Sequence, residues 1–418
     1  MSEREDNAAL RDLQKVLEIS RSMVATVDLD DLLPLIIERS MELLAAERAT
    51  LFLYDRDMDQ LVSRIATGSG EIRMPAGKGI AGACIRTQSV INVPDVYADE
   101  RFNPDFDRRT GFRTRNILAV PLCDYSGDLV GVLEVINKRA GAFSEYDISL
   151  AETLAAQAGV AIQRANLIRH FLEKQKMQRA LEIAKEIQLG LLPKSNPQLP
   201  GFDIAGFSQA ADETGGDVYD FLPLSDGRLG VIVADAAGHG IGAALVIAET
   251  RAMLRALIGQ TSEVRTVLRT VNELLTGDLD DARFVTCFFG LLDAERSCLS
   301  FASAGHGPIL LFDSRTGTFT QQMATAVPLG VFDPVPFDEI ITHPLRPGDF
   351  VTVLTDGLFE AMDEEGEQFG IERVMELLHR CCDMPAEQMV KMLRDTVMSF
   401  TGLGEQADDV SAVVIRRV

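Results

Sequence analysis

The chain has 418 residues, 46% of them hydrophobic and 25% charged, with a net charge of −23. That length suits two to three domains and that composition ordinary globular ones, while so acidic a balance excludes a nucleic-acid binder, which needs a basic footprint. No apolar run is long enough to cross a bilayer, and the charged start Met-Ser-Glu-Arg-Glu-Asp has no signal-peptide pattern, so a cytoplasmic protein without membrane contact is expected.

Residues 8–46 read as helix, because Leu10, Leu13 and Leu17, then Leu32, Leu35, Ile36 and Leu43, recur at helical spacing. The run beginning at Asp28 (Asp-Leu-Asp-Asp) acts as a cap between two helices. Between 49 and 136, the apolar stretches Ala49–Tyr54, Ile117–Leu122 and Leu129–Ile136 are split by Gly, Pro, Asp and Ser. That is the pattern of strands in a small mixed α/β domain. Residues 148–192 are helical again, with neither Gly nor Pro between Val160 and Leu189. Their apolar positions, among them Ile162, Leu167, Phe171, Met177, Ile187 and Leu191, form an imperfect seam. It fits either a coiled coil with a second chain or a single long helix packed on its own domain.

Leu192-Pro193 stops this helix, and from 202 onward strands dominate: 202–207, 217–224, 229–235, 283–292, 297–303, 308–312, 336–343, 349–355 and 410–416. Two helices follow Gly242, the second with Val264, Val267, Leu268, Val271, Leu274 and Leu275 on one face, and two more lie at 371–380 and 386–400. Many strands with paired helices imply packed sheets covered by helices on the outside. The six cysteines show no Cys-x-x-Cys spacing and read as reduced thiols.

Acids in the C-terminal half recur at strand ends. Gly215-Gly-Asp217-Val-Tyr-Asp220 opens a strand; Val231-Ile-Val-Ala-Asp235 and Val351-Thr-Val-Leu-Thr-Asp356 close two others; Asp408-Asp409-Val-Ser opens the last. One Asp-Gly pair alone is a turn signal. A carboxylate at the mouth of a buried sheet, however, costs free energy unless it is paired or bound to a cation. Several such mouths meeting at one place would make an oxygen-rich site for hard divalent cations. Two such ions clamp a phosphoryl group and activate a water for in-line attack without a covalent enzyme intermediate. They also reverse the field of an acidic protein that would otherwise repel an anionic substrate.

These motifs resemble the PPM superfamily of metal-dependent protein phosphatases, the type 2C relatives, and within it the bacterial SpoIIE-type branch of the RsbU kind. The resemblance covers about 180–418 and rests on Ile187-Gln-Leu-Gly-Leu-Leu-Pro193, Gly215-Gly-Asp-Val-Tyr-Asp, Ala234-Asp-Ala-Ala-Gly-His-Gly-Ile, Phe284-Val-Thr-Cys-Phe-Phe-Gly-Leu-Leu-Asp, Ser303-Ala-Gly-His-Gly-Pro, Leu354-Thr-Asp-Gly-Leu-Phe-Glu and Ala407-Asp-Asp-Val-Ser, in the family's order. It implies that Asp235 bridges two Mn²⁺ or Mg²⁺ ions, that the Ala236 carbonyl adds a ligand, and that Asp356 and Asp408 complete one ion's shell. Asp217 would act through metal-held water. Asp409 enters as a further candidate ligand, although the family usually uses the first acid of that pair. His239 and His306, in Gly-rich loops, are expected to shape those loops.

A second resemblance, to the GAF sensor domains of the cyclic-nucleotide-binding kind, covers about 30–165. It rests on Pro75-Ala-Gly-Lys-Gly-Ile-Ala-Gly, Ile91-Asn-Val-Pro-Asp, Thr110-Gly-Phe-Arg-Thr-Arg-Asn and Gly131-Val-Leu-Glu-Val-Ile-Asn-Lys. The family's Asn-Lys…Phe-x3-Asp-Glu signature appears as Asn137, Lys138, Phe143 and Asp147, with Ile148 in place of the last acid. The signature braces the fold in that family. Matching pocket positions are Ile80, Ala81, Asp107, Thr110, Thr114 and Glu134. A cyclic nucleotide, another small effector and no ligand at all remain open.

The expected architecture is α/β (α+β): an N-terminal helix at 1–29, a GAF sensor domain at 30–165, a helical linker at 166–195, and an αββα-sandwich phosphatase domain at 196–418. The resemblance implies a serine/threonine protein phosphatase acting on a phosphorylated anti-sigma-factor antagonist of the STAS type and regulated through its GAF domain, and a homodimer is expected through the helices near 8–25 and 160–190. The alternatives are a non-catalytic scaffold that binds phosphoprotein and a phosphatase of small molecules.

Overall fold

A computed structural model describes residues 3–63, 72–261, 263–280, 283–402 and 406–418. The chain divides into two compact units, Met1–Lys176 and Met177–Val418.

The N-terminal unit begins with α1 (Glu3–Ala25) and α2 (Leu29–Leu43). Asp28 caps α2, its carboxylate accepting from the Asp30 N–H at 2.7 Å. Helix was expected up to 46, but the chain turns at Leu44 and enters β1 (Ala46–Asp55). There follow β2 (Gln60–Ser63), β3 (Ile72–Pro75), α3 (Gly79–Thr87), β4 (Ile91–Val93), α4 (Asp105–Thr110), β5 (Ile117–Cys123), β6 (Leu129–Lys138) and α5 (Glu145–Leu189). The sheet runs β3-β2-β1-β6-β5-β4 with antiparallel neighbours throughout. Its two faces explain the sequence pattern. Leu51, Leu118, Leu133 and Val135 pack under α1, α2 and the first half of α5, while Phe52, Ile117, Ala119 and Val132 face α3.

The braced corner of this sheet is visible at Asn137 and Asp147. Lys138 Nζ meets Asp147 Oδ1 at 2.5 Å, and the Ser144 N–H and hydroxyl donate to Asp147 Oδ2. Asn137 accepts from the Arg115 N–H and donates to the Arg113 carbonyl and to Glu47. These bonds tie β6 to α5 and to the segment entering β5.

The C-terminal unit is a four-layer sandwich. Its strands are β7 (Phe202–Gln209), β8 (Asp217–Pro223), β9 (Leu229–Ala236), β10 (Val285–Asp293), β11 (Cys298–Ala304), β12 (Ile309–Asp313), β13 (Thr318–Gln322), β14 (Ile341–Pro344), β15 (Phe350–Leu354) and β16 (Val410–Arg417). Helices α6 (Ile241–Ile258) and α7 (Val264–Asp278) precede β10; α8 (Asp356–Phe359), α9 (Ile371–Arg380) and α10 (Ala386–Thr401) precede β16. One sheet orders β14-β11-β10-β9-β8 and the other β13-β12-β15-β16-β7. Strand residues alternate between two environments. Val231, Val233, Phe288, Val351, Val353, Val413 and Ile415 fill the space between the sheets. Ile232, Ala234 and Phe289 pack with α6 and α7, and Phe350, Leu354, Ala412 and Val414 with α9 and α10. Because both faces are covered, these strands read as unbroken apolar runs.

Two strand expectations shift. Strand character was expected over 336–343, but only Ile341–Pro344 pairs, with β11; Pro334 and Pro336 lack the N–H a ladder needs. In turn β13 escaped the sequence reading because Thr-Phe-Thr-Gln-Gln is a largely exposed edge strand without a run of apolar residues.

Phe288 is fully buried between the sheets, its ring centroid 5.2 Å from that of Phe301. Phe288→Ala is expected to lower the unfolding free energy of the C-terminal unit by about 3–5 kcal/mol, read from the denaturant midpoint at unchanged slope.

Candidate functional site

Alternation along β8 and β9 decides where the acids go. Asp217 and Asp235 are direct cross-strand partners. Both share the parity of the inter-sheet residues Tyr219, Phe221, Val231 and Val233, so they end the inner layer at one mouth of the sandwich. Asp220, three residues beyond Asp217, has the opposite parity. It faces the helical layer, where Arg251 and Arg255 of α6 bring their Nε atoms to 2.8 and 2.9 Å of Asp220 Oδ2. The second acid of the Gly-Gly-Asp-Val-Tyr-Asp motif is therefore an ion-pair anchor for α6.

The opposite sheet supplies the rest of the mouth. Thr355, the last residue before α8, donates to Asp217 Oδ2 at 2.7 Å, and its Oγ1 accepts from the Ser411 N–H at 2.9 Å. Asp356 opens α8, and Asp408 lies just before β16. Burial raises the Asp217 carboxyl well above the usual range, and Asp235 raises it further. Burial likewise lifts Asp235 to about 7, and the carboxylates of Asp356, Asp408 and Asp409 add to the rise. Asp408 is raised by burial, and by Asp356, Asp409 and Glu360. Acids from four separate chain segments thus share one field.

Asp409 behaves differently from its neighbour. Its Oδ1 accepts from the Ala211 N–H at 2.7 Å, and its Oδ2 accepts from the Gly216 and Asp217 N–H groups. Both oxygens are spent on backbone, so Asp409 clasps the loop before β8. Gly216 lies against the Ala236 carbonyl and Asp235: a Cβ there would fall 2.8 Å from Ala236 O and 3.3 Å from Asp235 Oδ1. The missing side chain leaves a cradle between a carbonyl and a carboxylate oxygen, the hard donor set a divalent cation takes. Among the described residues, no three acid, imidazole or thiol side chains already close into a metal cage. The arrangement fits cations that would draw the repelling carboxylates inward, with Asp235, Ala236 O, Asp356 and Asp408 as the candidate donors.

His306 is buried, its Nδ1 3.0 Å from Thr286 Oγ1, and burial lowers it to about 4, so it is neutral at pH 7. Thr286 is the cross-strand partner of Asp235. His239 is exposed, with Nδ1 3.2 Å from Asp212 Oδ2. The sequence reading missed Thr355, Arg251 and Arg255, whose partners are fixed only by tertiary contact. Thr355 alone left a trace, as the residue before Asp356 in its motif.

In the N-terminal unit the expected pocket residues fall into two groups. Ile80 and Ala81 lie on the first turn of α3 within the apolar cluster, and the Ala81 N–H bonds the Glu134 carboxylate of β6. Asp107 and Thr114 form the other group. Asp107 accepts from the Thr114 N–H and hydroxyl, both at 2.7 Å, and from Tyr97 Oη at 3.0 Å. Thr110 belongs to α4, and its side chain lies outside the described part of the structure. Glu134 keeps some accessible surface, yet protein surrounds it so densely that burial raises its carboxyl to about 7, only partly opposed by the Ala81 bond. A folded-state value above the unfolded one means that Glu134 favours folding fully below about 4.5, and that this contribution disappears as pH rises through about 7. Glu134→Gln should therefore flatten the decline in melting temperature between those two values, measured by thermal unfolding across a pH series of both proteins.

Comparison with known proteins agrees with this geometry. Residues 225–418 match the SpoIIE family (Stage II sporulation protein E), and residues 28–162 match the GAF domain. The phosphoserine phosphatase RsbU of Bacillus subtilis (strain 168) is 27% identical over 261 residues, 62% of this chain and 76% of RsbU. A cGMP-specific 3',5'-cyclic phosphodiesterase of Drosophila sechellia is 33% identical over 190 residues, 41% of this chain but only 16% of that enzyme. The solved SiaA-PP2C domain of Pseudomonas aeruginosa superposes with a TM-score of 0.52 at 24% identity, covering 58% of this chain and 98% of that domain, and so shares its fold. The chain therefore joins a segment that matches the GAF domain to one that matches the SpoIIE family and has the fold of a PP2C domain.

Proposed function

We propose that the C-terminal unit hydrolyses phosphoserine or phosphothreonine in a protein, with two Mn²⁺ or Mg²⁺ ions held by Asp235, the Ala236 carbonyl, Asp356 and Asp408. The observation that carries this reading is the concentration of negative charge at the sandwich mouth, where Asp235 faces its cross-strand partner Asp217 and is raised by Asp356, Asp408 and Asp409. When bound, the ions neutralise that field, lower the pKa of water and clamp the phosphoryl oxygens. The chain's own residues do the rest. Asp217, held by Thr355, stands behind Asp235, and Asp409 fixes the loop that carries Asp217.

The substrate proposed is a phosphorylated anti-sigma-factor antagonist of the STAS type, by analogy with RsbU, and the setting the cytoplasm. A small effector at the GAF domain, a cyclic nucleotide or another ligand, would act on the C-terminal unit by favouring one of two states. Its binding surface would include Ile80, Ala81, Asp107, Thr110, Thr114 and Glu134. The working form proposed is a homodimer. Leu167, Phe171 and Met177 on α5 are exposed apolar side chains that a second copy of the helix would cover.

Asp235→Asn and Asp408→Asn should each lower Mn²⁺-dependent phosphate release from a phosphoprotein by about 100-fold or more, equivalent to about 2.7 kcal/mol, and a chelator should abolish release by the wild type. Wild-type turnover in either variant would remove the mechanism. Joint replacement of Phe171 and Met177 by Glu should halve the mass seen in sedimentation; an unchanged mass would remove the helix-mediated dimer.

A further inference from the structure

The last turn of α5 reaches the acidic mouth through one side chain. Gln188 Oε1 accepts from the Gly215 N–H at 2.9 Å, and Gln188 Nε2 donates to the Gly215 carbonyl. A single amide thus satisfies both polar groups of one backbone residue, as a neighbouring strand would. Gly215 immediately precedes the Gly216-Asp217 step, whose N–H groups are held by Asp409 and whose Gly216 carbonyl accepts from Ala236 N–H at 3.1 Å. The loop entering β8 is therefore gripped by α5, by the start of β16 and by the end of β9. Asp217, Asp235 and the Ala236 carbonyl take their relative positions from that grip.

Two features make the α5 contact more than incidental packing. Gln188 is only half-buried in a helix turn that is otherwise exposed on Ile187 and Leu189, so no surrounding core fixes its rotamer. Its orientation is set by the two bonds to Gly215. Gly215 also lies directly against the Asp409 carboxylate, with no room for a Cβ between them, so the loop cannot retreat on that side if the helix lets go.

We propose that Gln188 is a positioning residue for the metal donors, and that its two-point hold on Gly215 sets the affinity of the site for divalent cations. The proposal rests on the metal reading above. With Gln188 released, the Gly215 peptide loses both partners and the loop samples positions in which Asp217 and Gly216 no longer back Asp235 and Ala236. Cation binding must then restore that order at its own expense.

The test uses the full chain with Mn²⁺ alone as probe. Gln188→Met keeps the length of the side chain and removes both bonds; Gln188→Glu keeps the acceptor and removes the donor. Calorimetric titration should show Mn²⁺ binding weakened about tenfold by Gln188→Met, and less by Gln188→Glu, from the loss of two and one hydrogen bonds. Hydrogen exchange in the metal-free chain should quicken at Gly215 in Gln188→Met and not elsewhere in the sheets. Turnover of a phosphoprotein at saturating Mn²⁺ should stay within a few-fold of wild type, because the residue positions donors and touches no reacting atom. Wild-type protein that takes up no Mn²⁺ overturns the metal reading and the proposal with it. Wild-type binding with unaltered affinity in both variants overturns the proposal alone, as does faster exchange spread evenly through the C-terminal unit. If Gln188→Met does not fold, Gln188→Glu decides by the same readings.

Discussion

Carboxylates that share one mouth of a β-sandwich repel each other and lose hydration together, and the rest of the C-terminal unit is arranged around that conflict. Asp217 and Asp235 are cross-strand partners at the end of the inter-sheet layer, and Asp356 and Asp408 approach from the opposite sheet. Nothing in such a layer gains from gathering acids. Valine or phenylalanine at these positions would continue the core that Val231, Val233 and Val353 build. The cost is met locally by donors that carry no charge: the Thr355 hydroxyl for Asp217, and the Ala211, Gly216 and Asp217 N–H groups for Asp409. Neutral donors orient an anion without cancelling it, so the mouth keeps its negative field and its demand for cations.

This separates the acids by work done. Asp409 gives both oxygens to the backbone of the loop before β8, whereas Asp408, one residue earlier, accepts only from the Asp409 N–H at 2.8 Å among the described bonds and otherwise meets the charges of Asp356, Asp409 and Glu360. The pair is adjacent in sequence and identical in type, yet Asp409 is buried and Asp408 is exposed at the entry to β16. His306 follows the same economy. Buried and neutral at pH 7, it meets Thr286 beside Asp235 without adding a positive charge that would compete with a bound ion.

Much of the fold was legible because both sheet faces are covered. Val231-Ile-Val-Ala-Asp235 and Val351-Thr-Val-Leu-Thr-Asp356 are unbroken apolar runs ending in an acid, and α9 occupies the expected 371–380 because its apolar face is so regular. Where a strand lies at an edge, as β13 does, polar residues carry no signal and pattern reading fails. The acids themselves were legible as strand-end residues, but their partners were not. Thr355 and Asp217 are 138 positions apart, and Gln188 and Gly215 are 27 apart. No local periodicity links such pairs, since only the closed sandwich brings them within bonding distance.

The two aspartates of β8 carry the same lesson to its end. Asp217 and Asp220 differ only in parity, yet one faces carboxylates and a hydroxyl while the other faces two guanidinium groups. Even with Arg251 and Arg255 against it, burial leaves the Asp220 carboxyl above its usual range, so this anchor adds little net stability as a pair. Its value is positional. Removing either partner would strand a buried charge, so α6 is held in one register on β8, three residues from Asp217 and beside the Gly-rich loop that follows Asp235. A fold that must keep one group of acids unpaired for cations has thus placed its arginines on the other face of the same strand. There they fix the helix without reaching the inner layer, where a guanidinium would neutralise the site in place of a metal.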